Sequence, residues 1–334
     1  GTVTTLTDQP DFADFVVNNP SALNTPRTEA AMDVAYEAAF AATLALDKPT
    51  AQANFSLSAR RTDAVVRAGR QNAIDASAQG CFGRKFITRS ALGSTPSTIL
   101  ANVANFRSDR VFYAGPGWRV RIPEIAVVGE AGGLGFTADG VITRGSDTEI
   151  ATLCASLPPE ENPAQDTEGL IDHCLAVEDV GVAMTIDVYK AFRAGGVCAP
   201  KIDIDSGPTF QSGVTSSLES GRTTMARRKM ADFIQDSMAV IGKPYSKRLN
   251  RRTERDALFG RVDSFLAELR NVRDEKASRI DSYSLDDGSN VNAPTSLALG
   301  IYKIRTVVRT YSSMDAIVFE TEIGPNANPT TTEL

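Results

Sequence analysis

Residues 223–274 constrain the fold most, because two amphipathic, helix-length segments follow one another there with a break between them. Thr223 or Thr224 is placed to cap the first. Ala226, Met230, Phe233, Ile234, Ser237, Met238 and Ile241 recur along it at helical spacing, and Gly242 and Pro244 end it. Thr253 is placed to cap the second, with Asp256 as in a capping box. Its stripe is Leu258, Val262, Phe265, Leu266, Leu269 and Val272, it is expected to run to about Asp274, and its other face is charged. Two apolar stripes so close in the chain must be buried against one core.

The chain end supplies a partner for that core. Residues 301–310 and 315–323 alternate with the period of a strand. With Ser312 and Ser313 as the loop, Lys303 faces Glu322 and Arg305 faces Glu320 on one side. Tyr302 faces Ile323 and Thr306 faces Phe319 on the other. Ser-Ser is a poor two-residue turn, so these strands can equally join a sheet shared with other chains. Residues 325–334 are expected to be a disordered tail.

Upstream, helices and short strands alternate. Thr25-Pro26 opens a helix to about Leu46 whose apolar residues nearly surround it, so burial on several sides is expected. A helix over 62–78 is expected to turn Ala64, Val65, Ala68, Ala73 and Ile74 inward, and a strand follows over 82–88. Thr95-Pro96 starts a short helix, and a strand over 110–114 ends at Gly115-Pro116-Gly117. Further strands are expected over 122–128 and 181–188, and a helix over 146–156. The Ser/Gly-rich run 206–221 is the best internal boundary. With 334 residues, about two domains are expected. The fold class is α+β (mixed α/β): a layered α/β domain over 1–205, then a C-terminal domain over 206–324 of two long helices packed on a small, partly intersubunit β-sheet.

The chemistry-bearing residues argue against catalysis. The only histidine, His173, is read as structural. There is no C-x-x-C, H-E-x-x-H, G-x-S-x-G or phosphate-binding loop. The glycine-rich run 129–135 has neither the lysine nor the spacing of a nucleotide site and is read as a flexible turn. Asp203 and Asp205 alternate as on a strand running into a turn. No catalytic residue, cofactor or metal is expected. No run of eighteen apolar residues occurs, so a membrane-spanning helix is not expected. The opening residues lack a basic leader followed by an apolar core, so no signal peptide is expected. Cys81, Cys154, Cys174 and Cys198 match no zinc or redox spacing. They read as buried small side chains, or as possible disulfide partners, with Cys81 and Cys198 in loop positions.

Net charge is −6 but unevenly spread. Residues 147–187 hold ten acids and no Lys or Arg, and residues 222–255 hold ten bases against three acids. These are two solvated faces, or surfaces that dock on opposite charge. Arg227, Arg228 and Lys229 sit in the first turns of the first C-terminal helix, where cations oppose the helix dipole, which hints at an acidic partner.

The last third resembles the contractile tail sheath proteins of bacteriophages. The resemblance rests on Ala226-Arg227-Arg228-Lys229-Met230-Ala231-Asp232-Phe233-Ile234-Gln235-Asp236-Ser237, then Gly242-Lys243-Pro244 and Phe265-Leu266-Ala267-Glu268-Leu269. It ends on Gly300-Ile301-Tyr302 and Asp315-Ala316-Ile317-Val318-Phe319. It implies a non-enzymatic subunit that polymerises helically around a tail tube and contracts to drive the tube through a host envelope. The partners it implies are other sheath subunits, the inner tube protein, and baseplate and tail terminator proteins, with no nucleic acid and no membrane insertion. The location it implies is the virion tail, assembled in the host cytoplasm. A related bacteriocin or secretion-type injection machine is one alternative, and an α/β enzyme with an unrecognised site is the other. Carried onto this chain, the resemblance assigns Arg227, Arg228, Lys229, Lys243, Lys247 and Arg248 to the tube. It assigns Tyr302, Ile304, Thr306, Val308, Ile317, Phe319, Thr321 and Ile323 to intersubunit strands. The acidic 147–187 region would meet a neighbouring subunit, and the cysteines would cross-link subunits in an oxidising medium. The family's N-terminal arm strand is not recognised in the opening residues.

Overall fold

The computed structural model describes residues 28–45, 53–79, 83–121, 141–165, 171, 173–203, 207–274 and 277–311. The first half is built on a parallel sheet. Its strands β1 (Phe55–Leu57), β2 (Lys85–Arg89) and β3 (Val111–Ala114) lie in that order. Helix α2 (Asp63–Ala78) connects β1 to β2, and α3 (Pro96–Ala104) connects β2 to β3, as parallel pairing requires. Cys198 extends the sheet beyond β3: its N–H donates to Tyr113 O and its carbonyl accepts from Gly115 N, both at 2.8 Å.

Strand alternation divides two apolar layers. Phe86, Val111, Tyr113 and Val197 face one side, with Phe40 of α1 (Glu29–Ala42), Val65 of α2, Ile99 and Val103 of α3, and Phe192. Ile87, Phe112, Ala114 and Cys198 face the other, with Trp118, Ile150, Leu153 and Phe210. Strands covered on both faces have no polar side, which is why 111–114 reads Val-Phe-Tyr-Ala without a break. Gly69 allows α2 to lie on the sheet, since a Cβ there would come within 2.4 Å of the Phe86 ring.

The second layer holds an antiparallel sheet in which β4 (Trp118–Arg121) lies between β5 (Val141–Arg144) and β6 (Cys174–Val177). Helix α4 (Asp147–Ser156) follows β5. Helix α5 (Ile186–Ala194) precedes the hairpin β7 (Pro200–Asp203) and β8 (Gly207–Phe210).

Several expectations are corrected. The first helix is capped by Thr28, whose Oγ accepts from Ala31 N at 3.2 Å. Only Met32 and Phe40 of it are buried, and its alanines other than the half-buried Ala35 are exposed. Residues 186–188 begin a helix instead of ending a strand, because Thr185 caps it and Tyr189 and Phe192 turn inward at helical spacing. On α2 the inner residues are Val65, Val66, Gly69, Asn72, Ala73 and Ala76, so Ala64 and Ile74 are only half-buried. The run 206–221, expected as an internal boundary, packs into the fold over residues 212–217 and is exposed over 218–221. Ser212, Thr215, Ser216 and Ser217 are buried, and Ser216 Oγ bonds the carbonyls of Phe106 and Ser108 at 2.9 Å. Small hydroxyl residues there satisfy buried backbone groups. The expected strand at 122–128, the glycine-rich run 129–135, Asp205, the strand at 315–323 and the tail lie outside the described residues.

Candidate functional site

Helices α6 (Met225–Gly242) and α7 (Arg252–Arg270) form the C-terminal unit with a two-stranded antiparallel sheet, β9 (Ser282–Asp286) and β10 (Arg305–Arg309). Met230, Ile234, Val262, Leu266, Leu269 and Ile280 are its buried core, and Phe233, Leu258 and Phe265 pack against them. This is the stripe that periodicity predicts. Val272 is the exception: α7 ends at Arg270, and Val272 is 77% exposed. The start differs too. Arg251 occupies the N-cap position, and no side chain caps there. A short 3₁₀ turn, Lys243–Tyr245, joins the helices where Gly242 and Pro244 predict a break. Strand β9 was not anticipated, although Tyr283 and Leu285 alternate with polar residues and point to the same core.

A buried ion cluster ties α6 to the parallel sheet. Asp232 is 1% exposed. Arg110 donates to both of its oxygens at 3.1 Å, Lys85 Nζ lies 2.9 Å away, and Arg228, one turn earlier on α6, closes the ring. Arg228 also reaches Asp109 at 3.0 Å. Burial pushes the Asp232 carboxyl up, but Lys85, Arg228 and Arg110 outweigh it and hold the pKa below the ordinary value. Gly83 makes room for the cluster, since a Cβ there would lie 2.2 Å from Asp232 Cγ. Arg279 adds a second tie, gripping Glu160 with two bonds of 2.7 and 2.6 Å while lying over the Phe233 ring.

The cluster places two residues of the basic triplet against partners within the chain. Arg228 is engaged within the chain. Lys229 is 4% exposed, with its ammonium 3.5 Å from the carbonyls of Leu157 and Glu161. Burial lowers its pKa. It lines a cleft of about 600 Å³ with Lys85, Cys154, Phe55, Phe233 and Phe265. So Arg228 and Lys229 answer acids and carbonyls of the same molecule. Arg227 is half-buried. Lys243, Lys247 and Arg248, by contrast, are exposed together on the turn between α6 and α7, with Arg251 and Arg252 beside them. At about 1.5 Å per helical residue, this turn lies about 24 Å from Arg227, so the six residues are not one patch.

Strand β10 alternates as expected. Ile304 and Val308 pack on the helical core, Thr306 Oγ lies 3.7 Å from Met238 Sδ, and Tyr302 Oη donates to Asp287 at 2.8 Å. Arg305, Val307 and Arg309 face outward. The register runs from Arg305↔Asp286 to Arg309↔Ser282, so β9 takes one edge of β10. Among the described residues the sheet has two strands. Ile317, Phe319, Thr321 and Ile323 lie outside them.

Three acids of the acidic segment are internal as well. Asp147 is buried against Arg61 and Arg89, and Glu149 is buried against Arg144. Glu178 accepts from the N–H groups of Gly93 and Gly117 at 2.6 and 2.7 Å. Asp179 and Asp187 remain exposed. Cys154 and Cys198 are free thiols in the core, and Cys174 is also buried. The loop-like Val197-Cys198 run is part of the sheet, which removes the exposure expected of it. Burial pushes the Cys154 thiol up to about 11. Cys81 lies outside the described residues.

No family model and no curated protein matches the sequence. Solved structures do match. The contracted-state sheath complex of an extracellular contractile injection system aligns with a TM-score of 0.63 at 10% identity, covering 96% of this chain and 88% of the other. A chain of the anti-feeding prophage baseplate aligns at 0.60 and 13% identity, covering 90% and 83%. The sheath tail protein of Desulfitobacterium hafniense aligns at 0.52 and 12% identity, covering 79% of this chain and 54% of its own longer one. The chain has the fold of contractile sheath proteins.

Proposed function

We propose that this chain is a structural subunit of a contractile sheath, a homopolymer that stores energy in its packing and performs no catalytic step. The observation that carries this reading is the sheath-type fold along nearly the whole chain. Two surface features support it. The exposed basic turn carrying Lys243, Lys247 and Arg248 suits an acidic inner tube, and the β9–β10 sheet packs through one face and, among the described residues, has two strands, so that a neighbour's strand can extend it. Contraction would then be a switch between two subunit packings, with the small difference per subunit summed over the polymer.

A bacteriophage tail, with the sheath in the virion and the tube delivering a genome, is the first setting. An injection machine of the anti-feeding prophage or extracellular type is the second, favoured by the neighbours named above. Identifying the particles that carry this protein, with or without a filled capsid, separates the two. The shared reading is tested by sedimentation of the purified chain. It should pellet as a polymer above a threshold concentration, whereas a monomer or small oligomer at every salt and protein concentration would overturn it. Lys243→Glu/Lys247→Glu/Arg248→Glu should still polymerise but fail to retain the inner tube.

A further inference from the structure

The one histidine of the chain lies where three different metal-donor groups meet. Glu149 stands in the first turn of α4, His173 immediately precedes β6, and Cys174 is its first residue. One ligand atom from each falls within 4.8 Å of the others. His173 Nε2 lies 3.7 Å from Glu149 Oε1, a few tenths of an ångström beyond the ~3.3–3.5 Å that tetrahedral zinc with N and O bonds of about 2.0–2.2 Å implies, a gap that a small side-chain rotation closes. Glu149 and Cys174 are buried, and His173 is exposed and opens the group to solvent.

The direction of the donors is visible in what faces them. The Arg144 guanidinium donates to His173 Nε2 at 2.8 Å and pairs with Glu149. A guanidinium has no acceptor, so Nε2 presents its lone pair to the same point as the carboxylate. A cation is therefore already favoured there, but this one fits imperfectly: Arg144 Nε is buried and has no hydrogen-bond partner.

We propose that Glu149, His173 and Cys174 bind a zinc ion, with Arg144 competing for the same donors. One thiolate, one imidazole and one carboxylate form a borderline-soft set that suits zinc and disfavours calcium or magnesium. The exchange is balanced in charge. The Cys174 thiol gives its proton to buffer as the Zn–S bond forms. Thiolate and carboxylate together cancel the 2+ ion, and the Arg144 side chain, already 40% exposed, moves to solvent. Water completes the tetrahedron. This assignment does not depend on the sheath reading.

Cobalt(II) titration of the full, reduced chain is the test, followed by displacement with zinc. A thiolate-to-cobalt charge-transfer band should appear, saturate at one ion per chain and vanish on adding zinc. Calorimetry in two buffers should show one proton released per ion. Cys174→Ser should abolish the band. His173→Ala, an exposed position that spares the core, should weaken binding by about tenfold or more. Arg144→Ala should tighten it. Absence of the band in the folded parent protein, or its persistence in Cys174→Ser, would overturn the assignment. So would unchanged affinity in both His173→Ala and Arg144→Ala.

Discussion

Replacing Asp232 by Asn removes one negative charge from a site where Lys85, Arg110 and Arg228 converge, while keeping the shape of the side chain. Three cations are then buried at the junction of α6 and the parallel sheet, and the amide presents an NH₂ to donors. Breaking a buried ion pair from one side costs about 3–5 kcal/mol, because the surviving charge stays desolvated. For a chain of 334 residues, with about 2.1 cal/mol/K of unfolding entropy per residue, that lowers Tm by about 4–7 °C. The pH dependence identifies the cause. The folded-state pKa of Asp232 lies below its ordinary 3.8. Its contribution is therefore complete above about pH 4 and is lost as pH falls through the lower folded value. Differential scanning calorimetry of parent and variant should show a wide gap at neutral pH that narrows in acid. As a control, Asp256→Asn breaks only the exposed contact to Arg252 and should leave Tm unchanged. A neutral-pH Tm for Asp232→Asn within 2 °C of the parent would refute the claim that this cluster fixes α6 to the sheet.

Lys229→Met should leave Tm unchanged or raise it, since the buried ammonium has carbonyl contacts at 3.5 Å but forms no salt bridge among the described residues. Its lowered pKa means that the charge costs stability at neutral pH, so a Tm fall of several degrees would contradict this. Gly83→Ala should destabilise by about 1–3 kcal/mol through overpacking against Asp232, measured by urea unfolding. Cys154 and Cys198 should resist alkylation in the native protein and react after unfolding, as mass spectrometry of the labelled chain would show.

Elements carried by apolar periodicity were legible in the sequence. The stripes of α6 and α7 and the Thr95-Pro96 start of α3 appear as expected, because one turn of sequence decides each. What escaped depends on distant contacts. Strand β9 is a five-residue run whose place against β10 only the tertiary fold supplies. Residues 147–149 look like the start of an acidic surface, but their partners Arg61, Arg89 and Arg144 come from three separate elements or loops. The placement of Arg228 and Lys229 within the fold is hidden from the sequence for the same reason. Charge runs report composition, whereas exposure depends on Asp109, Asp232 and Leu157, which approach through folding. The exposed basic turn holds Lys243, Lys247 and Arg248, which the sequence reading names, and its exposure follows from a break between two amphipathic helices, which usually lies at the surface.

Electron microscopy of the purified chain tests the central claim most directly. The account predicts hollow, helically striated tubes, with the Lys243–Arg248 turn lining the lumen and a neighbour's strand paired to the β9–β10 sheet in the reconstruction. Discrete particles without helical order across salt and concentration, or tubes with that turn on the outer wall, would contradict it.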